Sequence, residues 1–222
     1  MSLMESVPAS TLAADQRFLL YDVSWQFPER FLAEMGGRRL FLTYDRGTLE
    51  LMSPSTVHGR STSILGWAIL ILAEELEIPI DILGMVTFRR EDRGKGLEPD
   101  DCFYLRHEPL VREKEEIDLM VDPPPDLAIE VKVSRSALDK LAIYAGLGFP
   151  EVWRNDGATI HVYVPQADGP YAIRESSPNF PFLPMAELLR FLHMAATMDK
   201  TSWARAFRGW VRDEILPRVR EA

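Results

Sequence analysis

The sequence predicts a mixed α/β (α+β) fold, a central mixed sheet flanked by helices, and three stretches carry that prediction. Ile64, Leu65, Ala68, Ile69, Leu72, Ala73 and Leu76 recur at helical spacing, which gives a long amphipathic helix through about residue 77. Leu127, Ile129, Val131 and Val133 alternate with other residues as a strand does. Ser136 to Leu147 reads as a helix with Ser136 as its cap, Gly148 follows its end, and Glu151 to Arg154 is a further strand. With strands at Ile82–Arg89 and Asp100–Arg106, the order between residues 58 and 154 is α-β-β-β-α-β.

The flanking elements follow in order. Phe27-Pro28-Glu29 opens a helix to Met35, with Pro28 tolerated in the first turn and Gly36-Gly37 as its stop. Arg39–Tyr44 and Thr48–Met52 are two strands of a hairpin around Asp45-Arg46-Gly47. Ile160–Val164 and Tyr171–Glu175 add an antiparallel extension, and Pro184–Met194 and Trp203–Leu216 are helical. Trp203, Phe207, Trp210, Val211 and Ile215 form an apolar stripe that packs on the domain's own core or serves as a homodimer surface. We therefore expect one domain over 1–222: an N-terminal extension and helix (1–38), a core (39–185) and a C-terminal helical segment (186–222). Glu108–Pro125, charged and ending in three prolines, is the expected mobile loop.

Composition narrows the class. A chain of 222 residues with 46% hydrophobic and 27% charged residues has globular proportions and can bury a sizeable core. Its longest apolar stretch, Ile64–Ala73, is too short to span a bilayer, and Met1–Ala14 reads as a poorly ordered leader without a signal pattern. The lone Cys102 cannot form an internal disulfide, and a cytoplasmic location is expected. A net charge of −9 argues against non-specific coating of nucleic acid. Arg89, Arg90, Arg93 and Lys95 nevertheless cluster just before Glu98-Pro99-Asp100.

That last tripeptide matters together with Pro125-Asp126-Leu127-Ala128-Ile129-Glu130-Val131-Lys132. In a strand over 126–133, Glu130 and Lys132 share one face, opposite Leu127, Ile129, Val131 and Val133. A charge in a buried strand needs a partner, a metal or a chemical role. Two carboxylates, from Asp100 and Glu130, supply the hard oxygens that Mg²⁺ or Mn²⁺ prefers, and a lysine can hold a water or offset developing charge. The plain alternative is a cross-strand ion pair at Glu130 and Lys132, with Pro99-Asp100 as strand-start punctuation.

Pro-Asp followed some thirty residues later by Glu-x-Lys resembles the PD-(D/E)xK nuclease superfamily. Four blocks in order resemble the Uma2 family more narrowly: Leu49–Ser55 with His58, Gly96–Asp100, Pro124–Val131, and Leu141–Trp153. The resemblance spans roughly residues 20–185. It implies a restriction-endonuclease-like core and a metal-dependent endonuclease acting on nucleic acid, DNA foremost. Asp100 and Glu130 would be Mg²⁺ or Mn²⁺ ligands and Lys132 the catalytic lysine. A nuclease-fold module that binds nucleic acid or protein without chemistry is the alternative, because fold alone does not establish function.

Further residues are candidates for support. His58, at the start of the long helix, could contact a phosphate or a metal-bound water, or be structural. Glu50 could enter the site or face solvent. Glu98 could join Asp100 on one side, while alternation sends Asp101 to the other. Lys140 and Tyr144, four residues apart, share a helix face behind the Glu130 strand. Glu74 and Glu75 read as solvent-facing, and His107, His161 and His193 lack ligand spacing.

Overall fold

The computed structural model describes residues 15–34, 40–132, 136–166 and 169–220. The chain runs β1 (Gln16–Leu20), α1 (Phe27–Glu34), β2 (Phe41–Asp45), β3 (Thr48–Ser53), α2 (Thr56–Glu75), β4 (Asp81–Ile82), β5 (Phe88–Arg90) and β6 (Lys95–Leu97). It continues through β7 (Asp101–Tyr104), α3 (Glu108–Val111), β8 (Leu127–Val131), α4 (Lys140–Leu147), β9 (Val152–Asn155), β10 (Ile160–Gln166) and β11 (Gly169–Arg174). Last come α5 (Met185–Met194) and α6 (Lys200–Trp210), which passes through a π-helical turn, Val211–Ile215, into α7 (Leu216–Arg220).

The strands form two sheets, not one. One has the order β1-β3-β2-β6-β5 and is antiparallel throughout; the other is β11-β10-β9-β8-β7-β4. In the second, β8 and β9 are parallel and joined across α4, while the other neighbours are antiparallel. The expected α-β-β-β-α-β order survives in that sheet as α2, β4, β7, β8, α4 and β9. The single strand expected over Ile82–Arg89 is broken: β4 pairs with β7 in one sheet and β5 with β6 in the other. β1 and β6 were not expected at all.

Alternation divides the second sheet's faces. Phe103, Leu127, Ile129 and Trp153 pack with α2, α5 and α6 on one side. Cys102, Ala128 and Val152 pack with Ile143 and Tyr144 of α4, and with Phe88 and Leu97 of the first sheet, on the other. The C-terminal stripe is inside the fold: Trp203, Phe207, Val211 and Ile215 are buried in the first of these clusters, and Trp210 packs against it. Glu74 faces solvent as expected, while Glu75 is largely covered; the two hold Arg208 and Arg212 and so clamp α2 to this segment.

Local chemistry sets the elements that matter for the site. Asp45 pairs with Thr48, so β2 and β3 are joined by Arg46-Gly47 alone, with φ of 43° and 90°. Positive φ at both central residues is what a tight hairpin of this twist requires, and glycine supplies it without strain. Ser55 caps α2 by accepting a hydrogen bond from the His58 N–H. α4 starts at Lys140 rather than near Ser136, because Asp139 caps it through the Ala142 N–H; Gly148 closes it at φ 87°. Met35, Gly36-Gly37, Arg39, Val133 and the expected Met1–Ala14 leader lie outside the described residues. No described helix is long and apolar enough to cross a membrane.

Candidate functional site

β8 ends at Val131, and the site is built around that end. Glu130 is the last residue but one of the strand, 6% exposed, on the face toward α4. Asp100 lies just before β7, 3% exposed, and accepts the Val131 N–H through Oδ2 at 2.6 Å. The two carboxylates thus come from neighbouring strands and are fixed against the same short length of backbone.

Each carboxylate has its own partner in contact. Lys140 Nζ, from the first residue of α4, lies 2.7 and 3.0 Å from the two Glu130 oxygens. Tyr144, one turn later, donates to the same carboxylate at 2.5 Å. Burial works against the Lys140 ammonium, yet the Glu130 and Asp100 carboxylates outweigh it and raise its pKa, so the lysine stays protonated. Burial, together with the negative charge of Glu130, pushes the Tyr144 phenol well up, which keeps it a donor.

His58 serves Asp100. Its Nε2 lies 3.0 Å from Asp100 Oδ2 and its Nδ1 3.2 Å from Asp15 Oδ2, with the imidazole 1% exposed. Burial would lower the His58 pKa, but the hydrogen bond and charge of Asp100, then Asp15, reverse the sign and raise it. Asp15 in turn accepts the Ser55 N–H at 2.9 Å, so the residue that caps α2 also anchors the acid behind its histidine.

Glu50, from β3, points inward and is fully engaged. It accepts Arg17 Nη1 at 2.5 Å, the Ser136 hydroxyl at 2.9 Å and the Ala137 N–H at 2.8 Å. Glu98 is half-buried; burial first, with Asp100 nearby adding to it and Lys140 opposing, pushes its pKa up to about 7. Asp101 turns to the α2 face, as alternation predicts, where burial raises it to about 6.

Lys132 has a different place from the one expected. It is exposed, one residue beyond the end of β8, and makes no hydrogen bond to Glu130; its N–H donates to the Asn155 carbonyl at 2.8 Å. It does share a cavity with Glu130, of about 340 Å³, whose lining includes Arg17, Lys132, Lys140 and Arg154 against the acids Glu130 and Asp139. The lysine in contact with Glu130 is Lys140, brought there by the β8–α4–β9 crossover. Asp15 and Arg17 were not singled out in the sequence. The short apolar run Phe18-Leu19-Leu20 was the available signal for the strand that carries Arg17.

The donor set suits a hard divalent cation in one form. Asp100 Oδ1 is buried with no hydrogen-bond partner among the described residues. Glu98 and Glu130 both feel the Asp100 charge unfavourably. No three His, Cys, Asp or Glu side chains converge into a cage among the described residues.

The site is thus a buried acid pair with a lysine at the end of a mixed sheet. The pattern of the Uma2 family, described as "Putative restriction endonuclease", matches residues 28–197. The chain belongs to the Uma2 family. A solved structure of a putative nuclease belonging to DUF820, from Anabaena variabilis, is 16% identical with a TM-score of 0.47, over 68% of this chain and 90% of that one. No curated protein matches the chain.

Proposed function

We propose that this protein is a divalent-metal-dependent endonuclease that hydrolyses phosphodiester bonds in nucleic acid, DNA foremost. The observation that carries the reading is the buried Glu130–Lys140 pair set beside Asp100, whose Oδ1 has no hydrogen-bond partner among the described residues. Asp100 and Glu130 would hold Mg²⁺ or Mn²⁺, with Glu98 as a neighbouring acid. The ion, when bound, lowers the pKa of a water and offsets charge on the phosphorane.

The chain's own residues do the rest. Lys140 is held protonated, so it acts as a positive charge and proton donor toward the phosphorane, not as a base. Tyr144 fixes the rotamer of Glu130 so that its oxygens face one direction. His58 does the same for Asp100 from α2. Arg17, Lys132 and Arg154 line the cavity that a phosphate must enter, so the catalytic role expected for Lys132 passes to Lys140 and Lys132 becomes a phosphate contact.

A second reading, a binding module without chemistry, is favoured by one observation: both Glu130 oxygens are already taken by Lys140 and Tyr144. Calorimetric titration of Mn²⁺ separates the two. Binding by the wild type that disappears in Asp100→Ala and Glu130→Ala supports the enzyme. Absence of Mn²⁺ binding, alone and with a short oligonucleotide present, supports the module.

A further inference from the structure

A second cavity, about 580 Å³, lies on the other face of the same sheet end, between α2, the β9–β10 turn and α5. We propose that it receives an unpaired nucleotide of the substrate next to the scissile phosphate, so that the protein acts on nucleic acid with a single-stranded or flipped-out position. The inference rests on the nuclease reading above and adds the substrate class.

Three observations support it. The first is charge: Arg60, His193 and Lys200 line the cavity and no acid does, in a chain whose net charge is −9. His193 donates to the Gly157 carbonyl and Lys200 to that of Ala195, which fixes both. Arg60, on the exposed side of α2, has no hydrogen bond or ion pair among the described residues.

The second is the wall. Val57, Ile64 and Leu189 give it an apolar surface, and Val57 is 52% exposed at its rim. A base offers an apolar face only where it is unstacked, in a single strand or after flipping. The volume falls within the range of about 300–1,000 Å³ usual for sites that take small organic ligands.

The third is continuity with the acids. The first turns of α2 present His58 to Asp100 and Val57, Arg60 and Ser61 to the cavity. On the sheet, Lys132 of the first cavity donates its N–H to Asn155 of the second, and Arg154 and Asn155 alternate between the two faces. A strand that lays a phosphate against Arg154 can therefore turn its next base over the sheet end. That end is the carboxyl end of parallel β8 and β9, where ligands of such sheets bind.

The test is fluorescence polarisation of a labelled 12-nucleotide DNA, single-stranded and as duplex, with the full chain in EDTA so that no cleavage occurs. Tighter binding of the single strand is expected, weakened on the order of tenfold by Arg60→Glu. Ala196→Trp, an exposed position that fills the cavity mouth, should weaken it similarly, while Lys114→Glu, on a loop that lines neither cavity, should not. Equal binding of both forms, or binding unmoved by Arg60→Glu and Ala196→Trp, overturns the inference alone. Absence of binding to either form overturns the nuclease reading with it.

Discussion

Replacing Lys140 by methionine keeps the length of the side chain and removes its charge, which leaves the Glu130 carboxylate buried with Tyr144 as its remaining hydrogen-bond partner among the described residues. Both members of the pair are 6% exposed and lie 2.7 Å apart, so solvent does little to screen the loss. Removing one partner of a buried pair costs about 3–5 kcal/mol, a large part of the about 5–15 kcal/mol that holds a typical domain together. The cost depends on pH. Without Lys140 the folded Glu130 pKa rises further above its unfolded value, so the folded state takes up a proton that the unfolded state does not. Stability therefore falls as pH rises through that window, and the deficit is larger at pH 8 than at pH 5. Urea unfolding of Lys140→Met, Glu130→Gln and the double variant, at both pH values, measures this directly. The double variant should recover much of the loss, with a coupling of about 2–3 kcal/mol. Lys132→Met, at an exposed position, should stay within about 0.5 kcal/mol of wild type. A Lys140→Met cost below about 1 kcal/mol at pH 8, or no coupling in the cycle, would refute the pairing and with it the choice of Lys140 over Lys132.

Metal-free wild type should be more stable at pH 5.5 than at pH 8. Glu98 and Asp101 have folded pKa values of about 7 and 6, above their ordinary 4.5 and 3.8, so the folded state binds the extra proton and stability is lost as pH rises through those values. His58 adds to the trend, being raised: its contribution is complete below its ordinary 6.5 and lost above its folded pKa. Glu98→Gln should flatten the curve by about 1–3 kcal/mol after allowance for partial exposure, and parallel urea-midpoint curves for it and wild type would count against the assignment. Below pH 4 the trend reverses, as Asp15 and Asp45, both held low, take up protons. Trp203→Ala should cost about 3–5 kcal/mol and leave Mn²⁺ affinity unchanged, since Trp203 is fully buried among α5 and α6 side chains away from Asp100. Glu50→Ala should raise hydrogen exchange at Ala137 and through α4, because the Glu50 carboxylate holds that amide at 2.8 Å; unchanged protection would show that the loop stands without it.

The parts of this fold legible in the sequence were those with a local periodic cause. The apolar stripe of α2, the alternation in β8, the Arg46-Gly47 turn and the Gly148 stop each act within a few residues. The two sheets were not legible, since β4 and β5 fall within one apolar run and only long-range pairing with β7 and β6 divides them. The site shows the same boundary. Asp100 and Glu130 stand out in the sequence because their neighbours make them anomalous, acids beside strands that are otherwise apolar. Lys132, two residues on, which the plain alternative paired with Glu130, is exposed and makes no ion pair with it among the described residues. The actual partner returns ten residues later on a crossover helix. The Ser136–Asp139 stretch delays the start of α4 until Lys140 stands over Glu130, a position no spacing rule expresses.

On the proposed function, the arrangement of counter-charges reads as a site kept ready rather than one that is merely neutralised. If the acids existed only to be buried, one shared cation between Asp100 and Glu130 would suffice, and a satisfied network would leave no oxygen unused. Instead Asp100 takes its partner from α2, Glu130 takes its partner from α4, and Asp100 Oδ1 is left without one among the described residues. Separate anchoring holds each carboxylate against its own helix. A cation that approaches Asp100 then need not displace Lys140 outright, because His58 and the Val131 N–H both engage the other oxygen, Oδ2. A buried acceptor without a partner costs about 1–3 kcal/mol. A fold that keeps one gains nothing in stability from it, and on the proposed function that oxygen is where the cation would bind.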